Sequence, residues 1–476
     1  MPESPRRRRD LLIWLCSALA LLAVTLPATA QLPEEEPAFI GAQLNTTAET
    51  FEPTMGADPA GNLYFAQADS AGGVAIGFKA GTFSSTDGGT TWKDISPKIA
   101  DRNIPPETND PYIYVDPGTG RVFQFHMSPI LTCSILSFTD NGGESWTTNP
   151  AGCFPTVVWD HQTMVAAKPR VLATAGYPNI LHQCVNTIFA AMCTRSLNGG
   201  LTWSPNTVVH FNDYAPDAVQ NGTPVFGAQH GHLAAAPDGT LYLPTPYGAT
   251  YPTVFVSRDD GLTWTKRVIA EIDIPMIDPS IAVDPEGNVY ATFISEKGEL
   301  HFSVSKDLGA TWSTPVVAAP GITGSMPVMT VGDAGRIAIA YPGTDDLSDG
   351  YETDPIPPRS EEAWYPYFTV SFNALDENPT FESFSASGTD PLTRGHSCSN
   401  AGTSRCSYQV DFIDAIIGPD GLPYASFADG CTGPCATNVE AANNEGGTGK
   451  GIVATVVKSP MKWCEERCSK YGPAPS

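Results

Sequence analysis

STDGGTTW (85–92), TDNGGESW (139–146), SLNGGLTW (196–203), SRDDGLTW (257–264) and SKDLGATW (305–312) are five versions of one phrase, set 48 to 61 residues apart. Self-similarity at such a period marks a repeat architecture. Each phrase suits a tight turn between two outer antiparallel strands: Asp or Asn takes up turn amides, Gly accepts a positive φ, and Trp closes over the neighbouring sheet. A second repeat precedes each phrase. Asp-Pro-Gly-like turns between short β-patterned runs occur at 57–67, 115–126, 236–244, 283–293, 331–341 and 418–427. A seventh, MVAAKPRVLATAG (164–176), lacks Asp-Gly but keeps its place before the third phrase. The sixth unit retains only Ser371-Phe372-Asn373 of the phrase, and the seventh ends in the strand-like GIVATVVK (451–458). The count predicts an all-β chain of seven repeated antiparallel units, four strands to each.

The phrase resembles the Asp box of the sialidase/BNR-repeat superfamily. That resemblance covers the blade framework, residues 50–460, and implies a β-propeller with Asp boxes in turns of the outer strands. It also keeps six blades as the alternative, because most Asp-box enzymes have six. Sialidases are similar to one another in using three arginines for the substrate carboxylate, one in an Arg-Ile-Pro motif before the first blade, with a Tyr–Glu nucleophile pair and an Asp acid/base. Here Gln31 to Phe51 contains no arginine, and Arg102, Arg359, Arg394 and Arg405 fall in expected loops outside that motif. Catalytic residues therefore do not carry over.

Residues 1–30 read as an export signal: a basic start (MPESPRRRRD), an apolar run from Leu11 to Leu26, and Ala28-Thr29-Ala30 as a small-residue cleavage site. Residues 31–49 read as a lead-in and 461–476 as a Cys-containing tail, and no membrane span is expected in the mature chain. A secreted or envelope location follows, where cysteines form disulfides. Cys133/Cys153, Cys184/Cys193 and Cys398/Cys406 are the local pairings expected; Cys431-x-x-x-Cys435 and Cys464-x-x-x-Cys468 pair with each other or form a zinc site. The net charge of −25 excludes nucleic acid as a partner. A monomer is expected.

Long insertions mark the ligand face, because loops carry function on a rigid scaffold. They fall at 204–230, 341–367, 385–408 and 428–450, all opening onto the face opposite the repeated turns. Counting back six positions from each turn acid, or from Ala166, reaches Glu52, Asp110, Asp160, His232, Asp278, Pro327 and Asp414. Six is an even step, so in a strand these side chains share a face and ring the channel mouth. Such carboxylates accept amides from the adjacent blade, hold a Ca²⁺-like cation, or grip sugar hydroxyls. Crowded carboxylates also push each other's pKa apart, as an acid and base require, and Asp110, Asp160 and Asp278 are the catalytic candidates. His230, His232 and His161 are candidate ligand-binding groups, with a transition metal as an alternative. Asp345, Asp346, Asp349, Glu352 and Asp354 crowd oxygen ligands into one loop without EF-hand spacing, a candidate Ca²⁺ site or a solvated loop. Tyr351, Trp364 and Tyr365 offer rings for sugar stacking or pack the insertion, with Arg359 nearby. Gly395-His396-Ser397-Cys398-Ser399 lacks the last Gly of a nucleophile elbow, and 446–451 lacks phosphate-loop spacing. The resemblance and the acidic mouth together lead to a glycan-acting hydrolase, with a non-catalytic propeller binding a glycan, cation or protein as the alternative.

Overall fold

A computed structural model describes residues 37–43, 50–74, 77–98, 107–108, 110–126, 133–153, 159–187, 190–211, 219–220, 223–224, 230–246, 251–275, 278–345, 363–394, 413–438, 449–459 and 461–464. They form seven antiparallel blades, each built on four strands, in a propeller ring. The inner strands of blades 1 to 7 are Phe51–Ala57, Tyr112–Val115, Trp159–Ala167, Ala234–Ala235, Ser280–Val283, Val328–Val331 and Asp414–Ile417. Each inner strand meets the next, and that of blade 7 meets that of blade 1, so the ring closes.

Closure uses the segment expected to be a lead-in. Ala38–Gln43 is the outermost strand of blade 7, antiparallel to Lys450–Lys458 with Phe39 opposite Val456. The first strand and the last three thus share one sheet, so opening the ring means breaking that sheet.

The five octapeptide turns share one hydrogen-bond plan. In the first, Ser85 Oγ donates to Asp87 Oδ1 (2.8 Å), Thr91 N to the same oxygen (2.8 Å), and Gly89 N to Ser85 Oγ (2.9 Å). Asn198 and Asn141 replace Asp and accept equally, from Thr202 N and Ser145 N. Even the worn copy keeps the plan, with Thr380 N on Asn373 Oδ1 at 2.9 Å. The tryptophans pack on the blade cores, and Trp146 Nε1 reaches Ile95 O of blade 1 at 2.9 Å.

The hairpin turns between first and second strands lie on the same rim. Asp284 accepts Glu286 N and Asn288 N (2.9 Å each), Asn288 Nδ2 (2.8 Å) and Tyr290 OH (2.6 Å), and that hydroxyl accepts Gly335 N of blade 6 (2.9 Å). Asp284→Ala leaves these donors, the buried Tyr290 hydroxyl among them, without an acceptor, so urea unfolding should show a loss of about 2–3 kcal/mol. A loss under about 0.5 kcal/mol would mean that the turn holds without its carboxylate.

Disulfides join Cys133 to Cys153, Cys184 to Cys193 and Cys431 to Cys435. The third departs from the expected exchange with the tail pair and takes both cysteines out of any zinc site. Cys464 is also disulfide-bonded. Cys398 and Cys406 lie outside the described residues. No described helix is long and apolar enough to cross a membrane.

Candidate functional site

The inner strands begin at one rim, and all four long insertions leave and re-enter the blades there. Phe211, Thr344, Ser385 and Asp429 are the last strand residues before them. The hub behind this mouth is lined by all seven inner strands and holds about 1020 Å³ of empty space, its open end included.

The predicted carboxylate crown is not a single ring. The amide that closes each hairpin belongs to Asp58 in blade 1 and Asp284 in blade 5, but to Ala236 in blade 4 and Gly418 in blade 7. The turn acids Asp238 and Asp420 sit two residues further into their loops, so counting back from them slips the register by two. His230, not His232, is level with Glu52, Asp110 and Asp278; His232 and Asp414 lie one pleat deeper, level with Thr54, Tyr112 and Ser280. In blade 3 Thr163 takes the place of Thr54 and Ser280, so His161, with the positive φ that Glu52 also has, stands at the crown level and Asp160 lies one residue further out. In blade 6 Met326 takes the crown level, not Pro327. Even shifts keep a side chain on its face, so His232 and Asp414 remain near the axis, one level below Asp110 and Asp278.

Much of this acidity ties blades together. Asp110 Oδ2 accepts His161 N of blade 3 (3.0 Å), and Asp414 Oδ2 accepts Met55 N of blade 1 (3.1 Å). Thr54 Oγ1, Thr163 Oγ1 and Ser280 Oγ do the same for Ile113 N, Leu233 N and Met329 N of the following blades at 2.8–3.0 Å.

Two histidine–aspartate contacts remain at the mouth. His161 Nδ1 lies 3.0 Å from Asp278 Oδ2 and 3.1 Å from His230 O, which makes that nitrogen the donor. His161 sits at φ 54° beside a break in strand pairing, and the bulge aims its ring across blade 4 toward blade 5. His232 Nδ1 reaches 3.6 Å from Asp414 Oδ1, spanning the hub from blade 4 to blade 7. The Tyr112 ring meets His232 edge-on at 5.3 Å, and burial followed by the Asp414 charge raises the Tyr112 phenol above its usual range. Burial drives His230 down to about 3, so its ring is neutral. With its side chain 18 % exposed, Asp278 faces solvent more than Asp414 at 10 %. Glu52 is buried, with φ 46°.

The remaining candidates are dispersed. Trp364 is 2 % exposed, its ring inside blade 6, and presents no open face; Tyr365 is half-buried beside it. Arg394 donates from Nε to Cys435 O (2.9 Å) and from Nη2 to Ala436 O (3.5 Å), binding two insertions together. Asp345 is exposed at a strand end. Asp346, Asp349, Tyr351, Glu352, Asp354, Arg359, Arg102 and Arg405 lie outside the described residues, as does the Asp160 side chain. Among the described residues no three His, Cys, Asp or Glu side chains are grouped to hold a metal ion. Sequence reading missed Tyr112 and Thr163, whose only signal was their place on an inner strand.

Residues 159–344 match the model of the BNR repeat-like domain family. No curated protein matches the sequence. Among solved structures the chain is similar to the Hadza microbial sialidase Hz136, at 16% identity over 62% of this chain and 63% of that one, TM-score 0.43. It is also similar to a protein of unknown function from Dyadobacter fermentans DSM 18053 (13% identity, 89% and 98% covered, TM-score 0.45). A third is the alpha-l-arabinofuranosidase arb93a from Fusarium graminearum (15% identity, 65% and 92% covered, TM-score 0.40). The chain thus spans less than two thirds of the Hadza sialidase. Residues 159–344 thus carry a BNR repeat-like domain within a ring of seven blades.

Proposed function

We propose that this chain is an exported propeller that acts on glycans at the hub mouth, as a glycoside hydrolase in which Asp278 is a reacting carboxylate. The observation that carries the reading is the His161–Asp278 contact, set on the rim where all four long insertions leave the blades. A carboxylate with an oriented imidazole can hold a sugar hydroxyl and move a proton, and hydrolysis of a glycosidic bond needs a second carboxyl group opposite. Asp110 and Asp160 are the candidates for it. Export is read from the leader at 1–30, and three described disulfides suit an oxidising compartment. The octapeptide turns are Asp boxes in this reading, and their work is structural.

One observation favours non-catalytic binding: Asp110 and Asp414 already accept amides of neighbouring blades. Chromogenic glycosides and a glycan array, applied to wild type and Asp278→Asn, separate the two readings. Hydrolysis predicts turnover that falls at least about 100-fold in the variant with an unchanged melting temperature. Array binding with no turnover on any glycoside would replace the hydrolase by a lectin-like propeller, and neither binding nor turnover would remove the glycan reading.

A further inference from the structure

In a chain with 26 Lys and Arg against 51 Asp and Glu, the fourth octapeptide and the strand after it, SRDDGLTWTKRV (257–268), gather Arg258, Lys266 and Arg267. The other octapeptides carry Thr86, Asp140, Leu197 and Lys306 at the place of Arg258. Three residues after their Trp, where Arg267 stands, they carry Ile95, Asn149, Asn206 and Pro315. The shared turn therefore has no need of paired arginines. A basic outer strand also discourages edge-to-edge pairing, but that work needs no cleft.

The structure brings the two arginines to one cleft. The fourth strand of blade 4, Thr265–Val268, runs beside the third, Thr253–Ser257, with Thr265 opposite Val256 and Arg267 opposite Val254. Val254 and Val256 pack in the core shared with Ile281 and Val289 of blade 5. Cross-strand partners share a face, so Thr265 and Arg267 overhang the groove on the blade 5 side. Arg258 comes to the same groove from the octapeptide turn, where its Nη2 donates to Leu308 O of blade 5 at 3.0 Å. Together with Asp259, Thr263 and Gly309 of blade 5, these three residues line about 460 Å³ of empty space, its open side included.

The acids close by are already committed. Asp259 accepts Ser257 Oγ and Thr263 N at 2.9 Å each and Thr263 Oγ1 at 2.6 Å. Asp260 is buried and accepts Arg170 N, Val171 N and Leu172 N of blade 3. On the blade 5 turn, Asp307 accepts Ser305 Oγ, Thr311 N and Thr311 Oγ1. The guanidiniums spend little by comparison: Arg258 gives one N–H to Leu308 O, and Arg267 one from Nη1 to Lys266 O at 3.0 Å. Each keeps further N–H donors, and Thr265 adds a hydroxyl. In a protein of net charge −25, such a local excess of positive charge is what draws an anion to one place.

We propose that this cleft binds a tetrahedral oxyanion, sulfate or phosphate, either free or as an ester on a glycan. Guanidinium forks hold such groups through paired N–H···O bonds, and a tetrahedral group has more oxygens than a carboxylate with which to meet Arg258, Thr265 and Arg267 together. The cleft lies beside the octapeptide turns, on the rim opposite the mouth, so its ligand leaves the mouth open and the proposal stands apart from the reaction there.

The test is calorimetric titration of the mature protein, at fixed ionic strength, with sodium sulfate and glucose 6-sulfate, and with glucose and sodium acetate as controls. Saturable binding of a sulfate-bearing probe, tighter than that of either control, is expected. Sulfate binding as tightly as glucose 6-sulfate, or more so, would identify the free ion; tighter glucose 6-sulfate would identify the ester. Arg267→Gln and Arg258→Gln should each weaken the preferred probe at least about tenfold through loss of charge-assisted bonds. Arg267→Lys, which keeps the charge without the fork, should fall between. The melting temperature of Arg267→Gln should stay level, because that side chain is exposed. Asp278→Asn should leave sulfate affinity unchanged, so failure of the hydrolase reading leaves the cleft standing. Unchanged affinity in both Gln variants, acetate binding as tight as sulfate, or no binding of either sulfate probe to the wild type would overturn the proposal.

Discussion

Trp463→Ala should lower the unfolding free energy by about 3–5 kcal/mol in urea titration, among the largest losses any single truncation in this chain produces. Trp463 is fully buried although it lies beyond the last strand. Its ring packs on Phe372 of blade 6 (4.7 Å) and Phe39 of the closing strand (6.3 Å), and its Nε1 donates to Ile337 O at 3.0 Å. The Trp463 carbonyl accepts Asp333 N at 2.7 Å, and Arg336 donates to Lys462 O at 2.6 Å. Gly332 leaves the room this needs: a Cβ there would stand 1.8 Å from Trp463 O. The residue therefore joins blade 6, the N-terminal strand and the C-terminal segment at the seam of the ring. Phe39 stacks on Phe368 at 4.3 Å in the same cluster, so losing the indole opens a cavity beside the strand that closes the wheel. A loss below about 1 kcal/mol would show that the seam is held by strand pairing alone.

Acidification from pH 7 to pH 4.5 should destabilise the fold by several kcal/mol. Burial lowers the pKa of His126, His182 and His230 from the ordinary 6.5 to about 3. A folded-state pKa below the unfolded one means that the unfolded chain takes up protons first. The contribution is complete above about pH 6.5 and is lost as pH falls from there toward about 3, at a rate of at most about 1.4 kcal/mol per histidine for each tenfold rise in proton concentration. The octapeptide carboxylates Asp87 and Asp307, held at about 2 by hydrogen bonds from Thr91 and Thr311, lose their share only at still lower pH. Melting temperatures at pH 7 and pH 4.5, with His126→Gln alongside, check the assignment. The variant should show a shallower decline, and equal slopes would move the acid sensitivity elsewhere.

The repeated turns were legible because their chemistry is local: Asp or Asn, Gly and Thr bond to one another within five residues, whatever the rest of the chain does. The hub was legible only to within a pleat. Asp238 and Asp420 look like Asp58 and Asp284 in the sequence, yet Ala236 and Gly418 close their hairpins. Which amide meets which carbonyl depends on strand pairing, and no spacing rule sees a slip of two. Parity survived the slip, so His232 and Asp414 still meet near the axis, but one level below the crown.

Blade number, turn chemistry and the acid-rich inner strands were therefore written in the sequence, since each follows from contacts among near neighbours in the chain. Tertiary structure alone decided that Ala38–Gln43 completes the last blade, that Trp463 locks the seam, and that His161 faces Asp278. Those pairings join residues tens to hundreds of positions apart, and only closure of the ring, which fixes every strand's register against its neighbours, brings them within reach.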